Sequence, residues 1–418
     1  DYVFVGSSSA FTAKDGGGLS GVIQQALIAG GGIGGLAAAL AASRAGWDVR
    51  LFEQAPAFGE VGAGVQLGPN VVRVLHGWGL QDDLARVAAF PHRLQVRDAV
   101  TGDELGVLPL GQRALQKYGA PYATVHRADL HQLLLDALRA QAGARLHLDS
   151  ALTSFSQTRA QVRVQTQGGA SHEGDALIGA DGLWSAVRQW LLDDGMPRVT
   201  GHLAYRAMVP QAMLPEQLRS NHVTVWMGPH LHLVQYPVRQ GQWLNVVGIV
   251  QADLPVPPGG VAMPVEGWDQ NADAASLRAA LAGSCSPLQD LVRAIDHWRM
   301  WVLCDRPPMR SPHEHARGRV ALLGDAAHPM RPYLAQGAGM AIEDAAELGR
   351  LFADADLDVA GALHHFANRR LQRNRRVQAR AIRNGRIFHS TGLVRFGRDA
   401  ALRMLGQRLL DVPWLYSA

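Results

Sequence analysis

The run Gly30-Gly31-Gly32-Ile33-Gly34-Gly35 restricts this chain more than any other feature. It follows a short apolar stretch, Ala26-Leu27-Ile28-Ala29, and opens an Ala- and Leu-rich stretch from Ile33 to Ala45. The first stretch reads as a buried parallel strand and the second as a helix. Asp48-Val49-Arg50-Leu51-Phe52-Glu53 reads as a second strand, which completes a βαβ unit. In a G-x-G-x-x-G turn at this place, Gly30 permits the tight turn. Gly32 lets a pyrophosphate approach the backbone, and Gly35 packs helix on strand. The helix start offers free N–H groups and its positive dipole end to phosphate. Glu53 follows about 20 residues later at the end of the second strand, where a carboxylate accepts hydrogen bonds from a ribose diol. The N-terminal part is therefore expected to bind a dinucleotide.

The remaining chain is long enough for two or three domains at roughly 150 residues each. With 47% hydrophobic and 18% charged residues it is ordinary for a globular protein. Lys14 and Lys117 are the only lysines among 40 basic residues, so the modest positive charge is carried by Arg. The densest basic stretch runs from Arg369 to Arg386 and covers nearly all sides of a helix with few interleaved aromatics. It is expected to be a solvated or subunit-contacting helix, with no nucleic-acid partner. Cys285 and Cys304 form no paired motif, which fits a reduced, cytoplasmic setting. No apolar run reaches the ~20 residues of a membrane span.

Residues 1–25 lack a basic start followed by an apolar core, and read as a leader or upstream extension. Three β-type runs, His222–Met227, Leu231–Val238 and Trp243–Val250, suggest an antiparallel meander able to line a pocket. Arg319–Leu323 returns to a buried parallel-type strand, and helical texture resumes near Gly337. The expected class is α/β: a Rossmann-like nucleotide domain interrupted by a mostly antiparallel sheet domain, with C-terminal helices. The expected limits are 26–195 and 306–360 for the nucleotide domain, 196–305 for the substrate sheet and 361–418 for the helices.

Two later segments distinguish among dinucleotides. Ile178-Gly179-Ala180-Asp181-Gly182-Leu183-Trp184-Ser185-Ala186-Val187-Arg188 and Leu323-Gly324-Asp325-Ala326-Ala327-His328-Pro329 resemble the Asp-Gly and Gly-Asp motifs of the class A flavoprotein aromatic hydroxylases. The resemblance extends from about Ala26 to Gly385. It implies FAD as cofactor, with Asp325 on the ribitol and Asp181 in the Asp-Gly motif. It further implies Arg127, in His126-Arg127-Ala128-Asp129-Leu130, as a cofactor contact. Val65 and Gln66, in Gly62-Ala63-Gly64-Val65-Gln66, would run beside the flavin ring. Gly337, Gly339 and Met340 would begin a helix under its pyrimidine edge, whose positive end suits the charge of reduced flavin. No second Gly-rich turn follows a strand, as expected if NADH or NADPH binds only transiently.

The resemblance also implies the chemistry: electrophilic attack by a flavin C4a-hydroperoxide on a ring activated as its phenolate. A free phenol titrates near ~10, so a base is needed, and His is the usual choice near neutrality. Gly201-His202-Leu203-Ala204-Tyr205-Arg206 and Gly228-Pro229-His230-Leu231-His232-Leu233-Val234-Gln235-Tyr236 resemble the 3-hydroxybenzoate 6-hydroxylase branch. On that basis His202 is the expected base, and Tyr205 and Tyr333 are expected to hold the ring or its carboxylate. His230, His232 and Gln235 are expected on the pocket wall, with no metal site. Pro332 stands where salicylate and 6-hydroxynicotinate hydroxylases carry a proline. The expected activity is hydroxylation of a small aromatic carboxylate with O2 and NADH or NADPH, foremost 3-hydroxybenzoate to gentisate, by a monomer or homodimer. The alternatives are salicylate 1-hydroxylation, 6-hydroxynicotinate hydroxylation and, in a different class, flavin-dependent amine oxidation.

Overall fold

The computed structural model describes residues 23–59, 63–252, 270–272 and 274–417, the side chains of 270–272 excepted. The leader expected at the N-terminus and Gly62 fall outside these ranges, save for residues 23–25.

A six-stranded sheet forms the nucleotide-binding part, in the order Ala316–Arg317, Val320–Leu322, Ala176–Gly179, Gln25–Ala29, Asp48–Phe52 and Ala144–His147. All its pairings are parallel except the hairpin of the first two strands. The helix Ile33–Arg44 buries nine of its residues, most of them Ala, because it is covered by the sheet, by helix Gly337–Phe352 and by helix Arg127–Arg139. Small side chains let these helices approach closely. A Cβ added to Gly349 would stand 2.9 Å from Ala41.

The register positions the motifs. Phe52, Ala29, Gly179 and Leu322 lie side by side across four neighbouring strands. The residues that follow them (Glu53, Gly30, Asp181 and Gly324-Asp325) therefore gather at one carboxyl edge, where open α/β sheets bind ligands.

The second layer is an eight-stranded sheet: Gln270–Ala272, Trp298–Asp305, Arg198–Pro210, Trp243–Gln251, Leu231–Val238, Val223–Gly228, Arg93–Asp98 and Glu104–Pro109. It is antiparallel apart from the pairing of Val223–Gly228 with Arg93–Asp98. The hairpin at 93–109 thus joins this sheet from within the stretch assigned to the nucleotide domain. One face of the sheet packs on Tyr205, Trp226, Trp298 and the helices Ala275–Ala280 and Ser286–Arg293. The other face turns toward the nucleotide-binding part and carries the site.

Helix Val359–Phe388 packs on helix Gly337–Phe352 and on the hairpin at the edge of the six-stranded sheet. Contrary to the expectation of a solvated surface helix, Arg370 is buried and Arg373 half-buried in internal ion pairs. Arg370 holds Asp344 (2.6 Å) and Glu343 (3.2 Å), and Arg373 holds Glu343 (2.5 Å). Periodic Arg on a helix says nothing about which acid faces it from elsewhere in the chain. Cys285 and Cys304 are both free, and among the described residues no helix is long and apolar enough to cross a membrane.

Candidate active site

The cofactor half begins at the Gly-rich turn. Gly30 has φ +98°, and a Cβ there would stand 2.5 Å from the Ala180 carbonyl oxygen. A Cβ on Gly35 would lie 1.9 Å from the Gly30 carbonyl oxygen, so neither position tolerates a side chain in this geometry. Gly32 is the extended N-cap residue of the first helix and supplies no side-chain cap, which leaves the first N–H groups for a phosphate. The Gly31 N–H donates to Glu53 Oε2 (2.6 Å) and the Ala55 N–H to Oε1 (2.8 Å), which fixes the carboxylate beside the turn. His131, which sequence reasoning passed over, is buried with Nε2 2.8 Å from the Gly31 carbonyl oxygen. Its position in the His-Arg-x-Asp-Leu-His run was visible, but its contact with a turn 100 residues away was not.

The two later motifs are tied together. Asp181 accepts from Ser185 Oγ (2.5 Å) and the Val187 N–H (3.1 Å) at the start of helix Ala186–Leu192. Burial raises its pKa, and the Ser185 hydrogen bond opposes that rise. Buried Arg188 then donates to the carbonyls of Ala326 (2.9 Å) and Ala327 (2.8 Å) in the Gly-Asp motif. Asp325 itself is exposed at the carboxyl edge.

Behind it, His328 Nε2 lies 2.5 Å from Asp344 Oδ2, which also accepts from the Gly324 N–H (3.2 Å). The Asp344 carboxyl is disfavoured as an anion by burial, yet His328 and Arg370 hold it far below the ordinary carboxylate range. His315, His328 and Asp344 have ligand atoms within 4.8 Å of one another. The Arg370 guanidinium on Asp344 already supplies the positive charge there, so we read this cluster as an internal ion-pair network.

Arg127 opens helix Arg127–Arg139, and its N–H donates to the Ala63 carbonyl (2.6 Å) beside the strand Gly64–Leu67. Val65 packs on the nucleotide-domain core, whereas Gln66 lines the cavity described below and accepts from Tyr122 Oη (2.7 Å). Helix Gly337–Phe352 starts at Gln336 without a side-chain cap. Its positive end and free N–H groups thus follow directly on the cavity-lining loop Pro332–Ala335. Gly339 is required by packing, since its Cβ would meet Val71 at 2.8 Å, and Met340 is buried in the core. These residues fit an FAD: a turn for its pyrophosphate, a fixed acid for its ribose and a helix start for its ring.

A cavity of about 450 Å³ lies between the Pro332–Ala335 loop, the eight-stranded sheet and the C-terminal helices. Pro332, Tyr333 and His232 line it, with mainly apolar neighbours such as Val225, Val234 and Phe388. Tyr333 is held by close approach. A Cβ on Gly385 would come within 2.6 Å of its ring, and its ring centre lies 5.0 Å from that of His232. The Tyr333 hydroxyl is buried without a hydrogen-bond partner among the described residues, and burial pushes its pKa up.

His232 is buried, and its Nδ1 lies 2.8 Å from Nε2 of His389, a residue that sequence reasoning missed. That contact occupies one ring nitrogen of His232 and leaves Nε2 for the cavity. Burial drives His232 well below its ordinary pKa, with His389 and His202 adding to the effect. Burial likewise lowers His389, to about 3. Both are neutral near pH 7. His202 is half-buried and not among the described cavity-lining residues. Its Nδ1–H donates to the Thr200 carbonyl (3.0 Å), and its ring lies 5.1 Å from that of His389.

Strand alternation decides which expected residues meet. Ala204, Ile249 and His232 lie in one cross-strand row, and His202 shares their face. Tyr205, three residues from His202, must point to the opposite face, where it is buried with Trp226 and Trp298. Gln235, three residues from His232, is likewise turned away and accepts from Trp226 Nε1 (3.3 Å). The expectations for Tyr205 and Gln235 are corrected accordingly. His230 is not pocket wall either. It occupies the hairpin turn with φ +59°, exposed, and its ring contacts Gln251 Oε1 at 2.9 Å. Tyr236, at even spacing from His232, is the tyrosine that shares its face. It is buried against Gly64, where a Cβ would stand 2.5 Å from the Tyr236 ring.

Known proteins with this arrangement are flavoenzymes. The FAD-binding-domain family matches residues 24–381. The 3-hydroxybenzoate 6-hydroxylase of Polaromonas naphthalenivorans is 37% identical over 393 residues, covering 93% of this chain and 95% of that protein. The 6-hydroxynicotinate 3-monooxygenase of Bordetella bronchiseptica is 38% identical over 359 residues, covering 84% and 88%. Among solved structures, Klebsiella pneumoniae HpxO complexed with FAD and uric acid superposes with a TM-score of 0.79 at 27% identity, covering 94% of this chain and 96% of that one. A salicylate hydroxylase substrate complex gives 0.78 at 25%, covering 95% and 96%. The chain belongs to this FAD-binding family and is an FAD-dependent aromatic hydroxylase.

Proposed function

We propose that the chain hydroxylates a small aromatic carboxylate at the expense of NADH or NADPH, with 3-hydroxybenzoate as substrate and gentisate as product. One ring hydrogen is replaced by hydroxyl, O2 supplies that oxygen and a water, and the nicotinamide supplies two electrons. FAD, held by Gly30, Gly32, Gly35, Glu53, Arg127, Asp181 and Asp325, supplies the redox and oxygen chemistry when bound.

The carrying observation is the mainly apolar cavity with neutral, partnered His232 on its wall. His232 Nε2 takes the phenol proton, and His389 holds the ring that receives it. This role passes from His202 to His232 because His232 lines the cavity and His202 stands beside His389. Apolar walls exclude water, and Tyr333 offers its unpartnered hydroxyl to the substrate. The relatives named for 3-hydroxybenzoate support the choice of ring. Pro332 and the relatives named for 6-hydroxynicotinate favour a second reading, a hydroxypyridine carboxylate, which has the same proton to lose.

The test is NADH and NADPH oxidation by the FAD-loaded protein with 3-hydroxybenzoate, salicylate and 6-hydroxynicotinate, each with product identification. Gentisate from 3-hydroxybenzoate with coupled oxidation is expected. Stimulation by none of the three would overturn the proposal.

A further inference from the structure

Two arginines line the cavity, and they differ in what holds them. Arg398 is buried in an ion pair with Asp399 (2.7 Å) and also donates to the carbonyls of Ile387 (3.2 Å) and Phe388 (2.9 Å), so its charge is paired although its Nη2 makes no hydrogen bond. Arg380 has no acid and no hydrogen-bond acceptor among the described residues, and its Nε is buried. Burial and the charge of neighbouring Arg383 both disfavour its cation, and among the described residues no anion compensates. A buried donor without a partner costs stability unless something else supplies the acceptor.

The position of Arg380 suits such a supply. Arg380 and Asn384 are one turn apart on helix Val359–Phe388, and both face the cavity, as does Phe388 one turn further. Asn384 is fixed by donating to the Tyr333 carbonyl (3.2 Å), so this helix face is tied to the loop that carries Pro332 and Tyr333. Arg380 also lines a neighbouring surface cleft together with Arg376, Arg383 and Trp414. Arg376 is held there by stacking on Trp414 at 4.0 Å. Arg380 therefore stands between a basic surface cleft and a mainly apolar cavity.

We propose that Arg380 binds the carboxylate of the aromatic substrate. This rests on the reading above that the cavity takes an aromatic acid. A guanidinium offers a planar pair of N–H donors matched to a carboxylate, and a charge-assisted pair in an apolar cavity is stronger than one in water. The anion supplies the acceptor that Nε lacks. The ring then lies between this anchor and the His232–Tyr333 end.

The experiment compares wild type, R380Q, R380K and R383Q, all FAD-loaded. Dissociation constants are measured by calorimetry for 3-hydroxybenzoate and for its neutral amide, with melting temperatures recorded alongside. Loss of a hydrogen bond to a charged group should weaken binding of the acid by about 10- to 150-fold in R380Q. Binding of the amide should change less than threefold. R380K should recover part of the loss, because it keeps the charge without the planar fork. R383Q should stay within threefold of wild type. Added 3-hydroxybenzoate should raise the melting temperature of wild type far more than that of R380Q, a readout independent of turnover.

Wild type that prefers acid over amide while R380Q keeps the same preference would overturn the role of Arg380 and leave the proposed function standing. An equal loss in R383Q would overturn it too, since the effect would then belong to the general field. Wild type that binds none of the aromatic acids would overturn both.

Discussion

Replacing His232 by Gln tests the proposed chemistry most directly. Gln keeps a polar side chain of similar reach toward His389 but cannot accept and hold a proton. The size of the effect follows from the substrate. A phenol titrating near ~10 is ionised to about 0.3% at pH 7.5, so without a base the reaction is limited to that fraction and the loss can reach about 300-fold. That lies within the roughly 10²–10⁴-fold usually contributed by general bases. Raising the pH to 9.5 brings the ionised fraction to about a quarter, and the variant should recover by roughly 75-fold. The assay is aromatic product formed per NADH oxidised, with hydrogen peroxide measured in parallel, across pH 7–9.5. His232→Gln should consume NADH and release peroxide at pH 7.5, regaining coupling at high pH, while FAD content stays unchanged. His202→Gln should lose far less, because His202 is outside the cavity lining and acts only beside His389. Normal coupling in His232→Gln together with uncoupling in His202→Gln would refute the assignment and return the base to His202.

Three further outcomes are expected. Asp325→Ala should lose FAD, and Glu53→Ala should weaken FAD binding by about 10- to 100-fold, since the carboxylate held by Gly31 and Ala55 is removed from the ribose site; flavin fluorescence titration measures both. Arg370→Met should cost about 3–5 kcal/mol in denaturant unfolding, because it strips buried Asp344 of its guanidinium and leaves it only His328, while Glu343 keeps Arg373. Stability should also fall as pH drops below about 6.5. His315 and His389 have folded pKa values lowered to about 4 and about 3, so the unfolded chain takes up protons first. At pH 5 each contributes a loss of up to about 2 kcal/mol, and His389→Phe should flatten the melting-temperature profile between pH 7.5 and 5.

The nucleotide-binding half was legible because its signals are local. Gly30 is dictated by its positive φ and Gly35 by its contact with Gly30 within one turn, and Glu53 directly follows the next strand. The substrate half depends on strand parity, which the sequence also carries. His202 with Ala204, and His232 with Val234 and Tyr236, are even-spaced, so Tyr205 and Gln235 had to face the other way. Reading parity first would have replaced Tyr205 by Tyr236. Other features had no local signal. The His232–His389 contact spans 157 residues, and the Arg370–Asp344 pair joins two helices whose own patterns are silent about each other. Nor did the hairpin at 93–109 show that it would leave its sequence neighbours to join the larger sheet.

The C-terminal helices therefore cannot be an appendage to two finished domains. Helix Val359–Phe388 locks helix Gly337–Phe352 through Arg370 and Arg373, so the helix start assigned to the flavin ring is held in place from outside its own sheet. The same helix presents Arg380, Asn384 and Phe388 to the cavity, and His389 follows directly at its C-cap. Val394, Leu402, Leu409 and Tyr416 complete the far wall. The sheet face supplies His232 and little else that is polar. On the proposed reading, Arg380 and Asn384 would meet the aromatic acid from a segment sharing no backbone hydrogen-bond ladder with either sheet. On that reading, the substrate anchor would sit on a different segment from the cofactor turn.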